Sequence, residues 1–296
     1  MPELPQTPFT DAAYPTAAPS ADTLGLGRTS GQRGAELIAG FRAEQYPSAD
    51  TLALSRWAGR IAARWLMRLP GSPASMNYLT ARLASLSHLV ETALPPAGDK
   101  LTVIDLACGL SPRGLTLARA LPQVEVIEID LPDVVRDKQQ RLKQSPNVII
   151  PPNIQWLAAD LGVVSLEELL DGRLVDAVCA EGLNPYFSND KVISIARHIY
   201  RSLKPGGVYV CDLPWREGDQ AQGRLIATTF SRQAGAYKSS VKDEAEARQF
   251  MQEAGFDSVE IYHTAHFAES LNLPQPIMEY SLFVRARKAA TEGINP

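Results

Sequence analysis

Two spacings of apolar residues divide this chain. Between about residues 33 and 95 they recur every three or four positions, the period of a helix with one buried face. Leu52, Leu54, Trp57, Ile61, Trp65 and Leu66 form one such stripe, and Ser48 is placed to cap its start. Pro70, Gly71 and Pro73 interrupt it. Leu79, Leu83, Leu86, Val90 and Leu94 predict a second helix from about Ala74 to Leu94, ended by Pro95, Pro96 and Gly98. Both stripes read as core packing, with Trp57 and Trp65 as further candidates for the wall of a substrate pocket. From Leu101 the apolar runs shorten and suit strands: 101–107, 124–130, 154–159, 175–181 and 207–213. Helical segments at about 112–121, 132–144, 165–170 and 188–203 separate them. This alternation predicts βαβ units and a parallel sheet.

Late in the chain the order changes. Helical stretches near 220–235 and 242–254 precede two apolar segments, Ser258 to Phe267 and Glu279 to Lys288. No helix-length connection lies between these, so they predict an antiparallel pair. The expected fold class is therefore α/β: five parallel-type strands plus a C-terminal antiparallel pair, with an N-terminal helical extension. The expected organisation is a flexible leader over 1–30, rich in Pro, Ala, Thr and Ser. A helical lid and substrate region over 31–98, a cofactor-binding domain over 99–290 and a tail over 291–296 follow.

Composition removes several classes. A net charge of −4 provides no globally basic surface for a phosphate backbone, so no nucleic-acid partner is expected. No apolar run reaches membrane-spanning length, and the N-terminus lacks a secretory signal. The expectation is a cytoplasmic protein with a small-molecule partner and no membrane partner. Cys108, Cys179 and Cys211 are an odd, widely spaced set, read as core thiols rather than a disulfide framework. His263 and His266, on a predicted strand, would point to opposite faces without a carboxylate or cysteine cluster, so no metal is expected.

The chemistry concentrates at the ends of the predicted strands. Val103-Ile104-Asp105-Leu106-Ala107-Cys108-Gly109-Leu110-Ser111-Pro112-Arg113-Gly114 runs from a strand through small residues into a helix. Small residues let backbone N–H groups approach a ligand, and open α/β sheets bind ligands at strand carboxyl ends. The run lacks both the G-x-G-x-x-G spacing of a dinucleotide fold and the G-K-[ST] ending of a phosphate loop. Asp130, at the end of the second strand, can accept hydrogen bonds from both hydroxyls of a ribose, with Glu128 as the reserve candidate. Asp160, after the third strand, could accept from an adenine amino group or cap a turn. Leu203-Lys204-Pro205-Gly206-Gly207 turns a helix into a strand, a structural role.

Together these motifs resemble the leucine carboxyl methyltransferase superfamily, which includes tetracenomycin-type polyketide O-methyltransferases and has a Rossmann-like class I methyltransferase sheet. The resemblance runs from Arg82 to Phe187. It rests on Ala107-Cys108-Gly109-Leu110-Ser111-Pro112-Arg113, Glu128-Ile129-Asp130-Leu131-Pro132 with Lys138 following, Ala159-Asp160-Leu161, and Ala180-Glu181-Gly182-Leu183-Asn184-Pro185-Tyr186. It implies S-adenosylmethionine as cofactor. In the implied site Asp105, Ala107 and Gly109 belong to the loop under the amino-acid part, and Arg82 pairs with the cofactor carboxylate. Asp130 holds the ribose, Asp160 and Leu161 frame the adenine, and Glu181 faces the amino group. Ala107 stands where the family has glycine, and Ser111-Pro112 where it has Asp-Thr. Asn184-Pro185-Tyr186 looks like a shortened amino-methyltransferase signature, but begins three residues beyond Glu181 and reads as coincidence.

The expected function is transfer of a methyl group to a carboxylate or hydroxyl of a polyketide-like or other metabolite. No catalytic residue is identified, and no histidine base stands among the motifs. A cofactor-binding protein without transferase activity is the first alternative. An NAD-dependent oxidoreductase is the second, disfavoured by the broken glycine spacing.

Overall fold

A computed structural model describes residues 30–68, 72–95, 100–218 and 237–290. Seven strands form one sheet in the order β3-β2-β1-β4-β5-β7-β6. They are β1 Leu101–Leu106, β2 Val124–Asp130, β3 Ile154–Ala158, β4 Val175–Ala180, β5 Leu203–Pro214, β6 Ser258–Tyr262 and β7 Ser281–Arg287. The pairs among β1 to β5 are parallel, and β7 runs antiparallel between β5 and β6. The α/β class and the closing antiparallel pair are as expected. The predicted helical stretch at 220–235, the leader and the tail lie outside the described residues.

Alternation along each strand sends side chains to two cores. Val103, Val126, Cys179 and Val210 pack on one face with Tyr78, Leu79 and Leu86 of α4 (Ser72–Glu91) and Phe41 of α1 (Ser30–Gln45). Ile104, Ile127, Val178 and Cys211 pack on the other with α8 (Asn189–Ser202) and α9 (Glu244–Ala254). The N-terminal helices thus cover one face of the sheet. The three cysteines are free and buried. Among the described residues no helix is long and apolar enough to cross a membrane.

Three local expectations change. The stripe after Ser48 is two helices, α2 (Ala49–Leu54) and α3 (Trp57–Leu66). Ser48 caps α2 in a reciprocal capping box with Thr51, and Ser55 then turns extended. The Arg56 N–H that follows is taken by the Glu36 carboxylate of α1 at 2.8 Å, a tertiary contact that fixes the break. The segment after Ser258 is strand only to Tyr262. Thr264–Phe267 coils into a 3₁₀ turn, with the Thr264 and Ala265 N–H groups donating to Glu279. His263 and His266 consequently approach each other, the His263 N–H donating to His266 Nδ1 at 2.8 Å. His263 Nε2 lies 2.9 Å from Glu244. No group of three metal-ligating side chains forms among the described residues.

Candidate active site

The strand order reverses between β1 and β4, and a crevice opens at such a switch point beyond the strand carboxyl ends. Here it is a cavity of about 280 Å³. Ala107 and Gly109 line it after β1, Asp130 after β2, Asp160 and Leu161 after β3, and Glu181 and Gly182 after β4. Gly34, Ala35 and Ile38 of α1 and Tyr78, Leu79 and Arg82 of α4 close the opposite side. Seven of the eight residues expected at the site therefore meet in one cavity. The eighth does not. Asp105 is buried beneath it and accepts from Arg113 Nη1 at 2.9 Å, so it acts on the site through that arginine.

The loop after β1 takes two left-handed residues, Ala107 and Gly109, each at φ +51°. Gly109 adopts this freely, whereas an alanine pays about 1 kcal/mol in steric crowding there. The loop is fastened from below. Asp130 accepts from the Gly109 N–H at 2.6 Å and the Leu131 N–H at 2.7 Å. Burial nevertheless raises the Asp130 carboxyl to about 6. Glu128, the reserve candidate, lies on the same strand face as Asp130 but is closed off from the cavity. It is fully buried, paired with Lys138 Nζ at 2.8 Å and bonded by Trp156 Nε1 at 2.6 Å. Lys138 also donates to the Ser111 carbonyl at 2.7 Å, which ties α6 (Pro132–Lys143) to the loop. Pro132–Lys143 and the loop are thus one unit.

Glu181 is the electrostatic centre. Its Oε1 takes Arg42 of α1 and, at 3.0 Å, Arg82 Nε of α4; its Oε2 takes Arg113. Burial alone would raise this carboxyl, but the three guanidiniums outweigh it and hold it at about 2. Arg82 also faces Asp212, which accepts the Gly182 N–H at 2.6 Å. A solvated Arg82 is excluded, since it is 7% exposed. Beside this cluster lies a smaller cavity of about 50 Å³ lined by Arg42, Arg82, Arg113 and the loop. The buried Arg42 Nε has no hydrogen-bond partner among the described residues. The site thus has room and a spare donor for an anionic group beside Glu181, as a zwitterionic amino-acid moiety requires.

Beside Arg82, whose guanidinium lies 5.8 Å from the Tyr78 ring, the wall is aromatic. Tyr186 meets Tyr237 edge-on at 5.7 Å between centroids, and Tyr78 meets Tyr280 at 5.6 Å. Trp57 and Trp65, the candidate pocket residues, are exposed on α3 and do not line the cavity. Asn184 is buried, its amide donating to the Asp212 carbonyl at 3.0 Å, and also stays out of the lining.

The leucine carboxyl methyltransferase family matches residues 50–200, just over half of the chain. The chain belongs to that family. Its cofactor is S-adenosylmethionine. A trans-aconitate 2-methyltransferase of Azoarcus sp. (strain BH72) is 27% identical over 146 residues, 48% of this chain and 51% of that protein. The chain thus matches about half the length of that curated relative. Among solved structures, the S-adenosylmethionine-dependent methyltransferase SibL superposes with a TM-score of 0.52 at 16% identity, covering 87% of this chain and 70% of that one. Magnesium protoporphyrin IX methyltransferase of Synechocystis PCC 6803, with bound SAH, gives 0.51 at 14% identity, covering 79% and 95%. These likenesses establish the fold.

Proposed function

We propose that this protein is a methyltransferase that moves a methyl group from S-adenosylmethionine to an oxygen, carboxylate or hydroxyl, of a small molecule. The observation that carries this reading is one cavity with a charged end at Glu181 and Arg82 and a tyrosine-walled end beside it. Bound cofactor supplies a methyl group already activated by its sulfonium. The protein's own task is alignment and exclusion of water. In this reading Arg82 takes the cofactor carboxylate and Glu181 its amino group, while Ala107 and Gly109 pass beneath. Asp130 holds the ribose, Asp160 and Leu161 frame the adenine, and the helices over 31–98 form the lid and part of the acceptor site.

The lining favours an acceptor that needs no base. Among the described residues that line the cavity there is no histidine, and Arg82 is the sole cation. A carboxylate is ionised at neutral pH and attacks without prior deprotonation. Arg82 already faces Glu181 and Asp212, which supports an acceptor with one acidic group on an apolar or aromatic body over a polyanion. Trans-aconitate, named for the Azoarcus relative, is a tricarboxylate and so the informative comparison. Labelled methyl transfer to monocarboxylates, phenols, amines and trans-aconitate tests this. Ester or ether products are expected; transfer to amines alone would overturn it.

Two further outcomes follow from named groups. Arg82→Lys keeps the charge but loses the planar fork, and should weaken cofactor binding at least about tenfold, since hydrogen bonds to charged groups contribute roughly 1.5–3 kcal/mol. Ribose hydroxyls donate to the ionised form of Asp130, so binding draws the carboxyl below its free value of about 6. Cofactor affinity should therefore rise with pH up to about 6 and level off above it. Calorimetry across this range should show a flat profile for Asp130→Asn.

A further inference from the structure

Helix α3 turns its bulkiest apolar side chains away from the protein. Trp57 is 70% exposed and Trp65 65%. With Ile61 they stand four residues apart, in one line along the helix. The other side is what holds the helix in place. Ala63 is buried, and Gly59 lies so close to Gly40 of α1 that a Cβ on Gly40 would come within 2.6 Å of the Gly59 carbonyl oxygen. Packing on α1 thus uses the glycine and alanine side, and leaves an outward line of Trp, Ile and Trp that burial would stabilise.

The charges beside this line have one sign. Residues 56–68 carry Arg56, Arg60, Arg64 and Arg68 and no acidic residue, in a chain of net charge −4. Arg56 is tied to Asp137 and Arg64 to Glu44. Arg60 donates to neutral groups, the Leu52 and Ser55 carbonyls and the Ser55 hydroxyl, and Arg68 lies over the Trp65 ring at 5.1 Å. Arg68 thus keeps its positive charge next to the tryptophans, and Arg60 shares with Arg64 the neighbourhood of a single carboxylate, Glu44, so the cations on this side outnumber the anions.

We propose that α3 is a docking surface for an anionic lipid bilayer. The tryptophans enter the interfacial layer, where an apolar ring with one N–H donor is well accommodated. Arg60 and Arg68 meet the headgroup phosphates. A basic amphipathic helix with aromatic residues on its apolar side lies in the plane of a membrane in this way. A second copy of the chain fits the same face less well, because symmetric pairing would oppose the arginine rows of the two copies. No spanning segment is needed, so the sequence-based expectation of no membrane partner, drawn from spanning length, does not bear on such a contact.

Full-length protein sedimented with phosphatidylcholine vesicles, with and without phosphatidylglycerol, tests this. The wild type should sediment with the mixed vesicles, with a blue shift of tryptophan emission, and poorly with phosphatidylcholine alone. The pair Trp57→Ala/Trp65→Ala should lower vesicle affinity at least about tenfold with an unchanged thermal midpoint, and the pair Arg60→Glu/Arg68→Glu should lower it by at least as much while keeping a cooperative thermal transition. Three results would overturn the proposal: no sedimentation of the wild type, equal sedimentation of the variants, or a wild-type dimer that the tryptophan pair abolishes in the absence of vesicle binding.

Discussion

Glu181→Gln should destabilise the folded protein by about 3–5 kcal/mol, the usual effect of removing one partner from a buried charge cluster. In the wild type one carboxylate faces Arg42, Arg82 and Arg113, with Asp105 and Asp212 on the far sides of two of them. The cluster balances three cations against three anions. A glutamine leaves one buried positive charge in excess, and its amide N–H₂ is directed at guanidinium donors. Chemical denaturation reads the loss, which is a large share of a typical total of roughly 5–15 kcal/mol. The pH dependence has a definite sign. The folded-state value of about 2 lies below the ordinary 4.5, so the Glu181 contribution is complete above about 4.5 and is lost as pH falls towards 2. In Glu181→Gln this acid-side loss should be smaller. The same variant should bind cofactor at least about tenfold more weakly, because the amino group loses an ionised acceptor.

Lys138→Met should cost a similar amount, about 3–5 kcal/mol, for the mirror-image reason. Both Lys138 and Glu128 are fully buried, so removal of the ammonium leaves a carboxylate with only the Trp156 N–H to balance it. The double variant Lys138→Met/Glu128→Gln should recover most of that loss, and a strong coupling in the double-mutant cycle is the discriminating result. The Ser111 carbonyl also loses its donor in the single variant, so the loop over Ala107 and Gly109 loosens and cofactor affinity falls with stability. Independent, additive effects of the two substitutions would contradict the pairing.

The strands were legible because each alternates or fills its face over five or more residues. Val124–Asp130 matches the predicted run residue for residue. Motif order then marked Asp130, Asp160 and Glu181, which the strand termini carry into one cavity. What stayed hidden depends on contacts across long stretches of chain. The break at Ser55 is set by Glu36, and the 3₁₀ turn after Tyr262 by Glu279. Arg42 was missed entirely; its partner Glu181 is 139 residues away. One signal was present: a lone arginine within the otherwise apolar Leu37-Ile38-Ala39-Gly40-Phe41-Arg42-Ala43. Asp105 lies beneath the cavity and outside its lining: a buried acid at the end of a strand and a ligand-facing one have the same sequence context, and only the Arg113 contact separates them.

Isothermal titration of the folded protein with S-adenosylmethionine tests the account most directly. One molecule should bind per chain, Arg82→Lys should bind it more weakly, and NAD should give no heat. A protein with an intact thermal transition that gives no heat at millimolar S-adenosylmethionine, or that binds NAD as well, would contradict it.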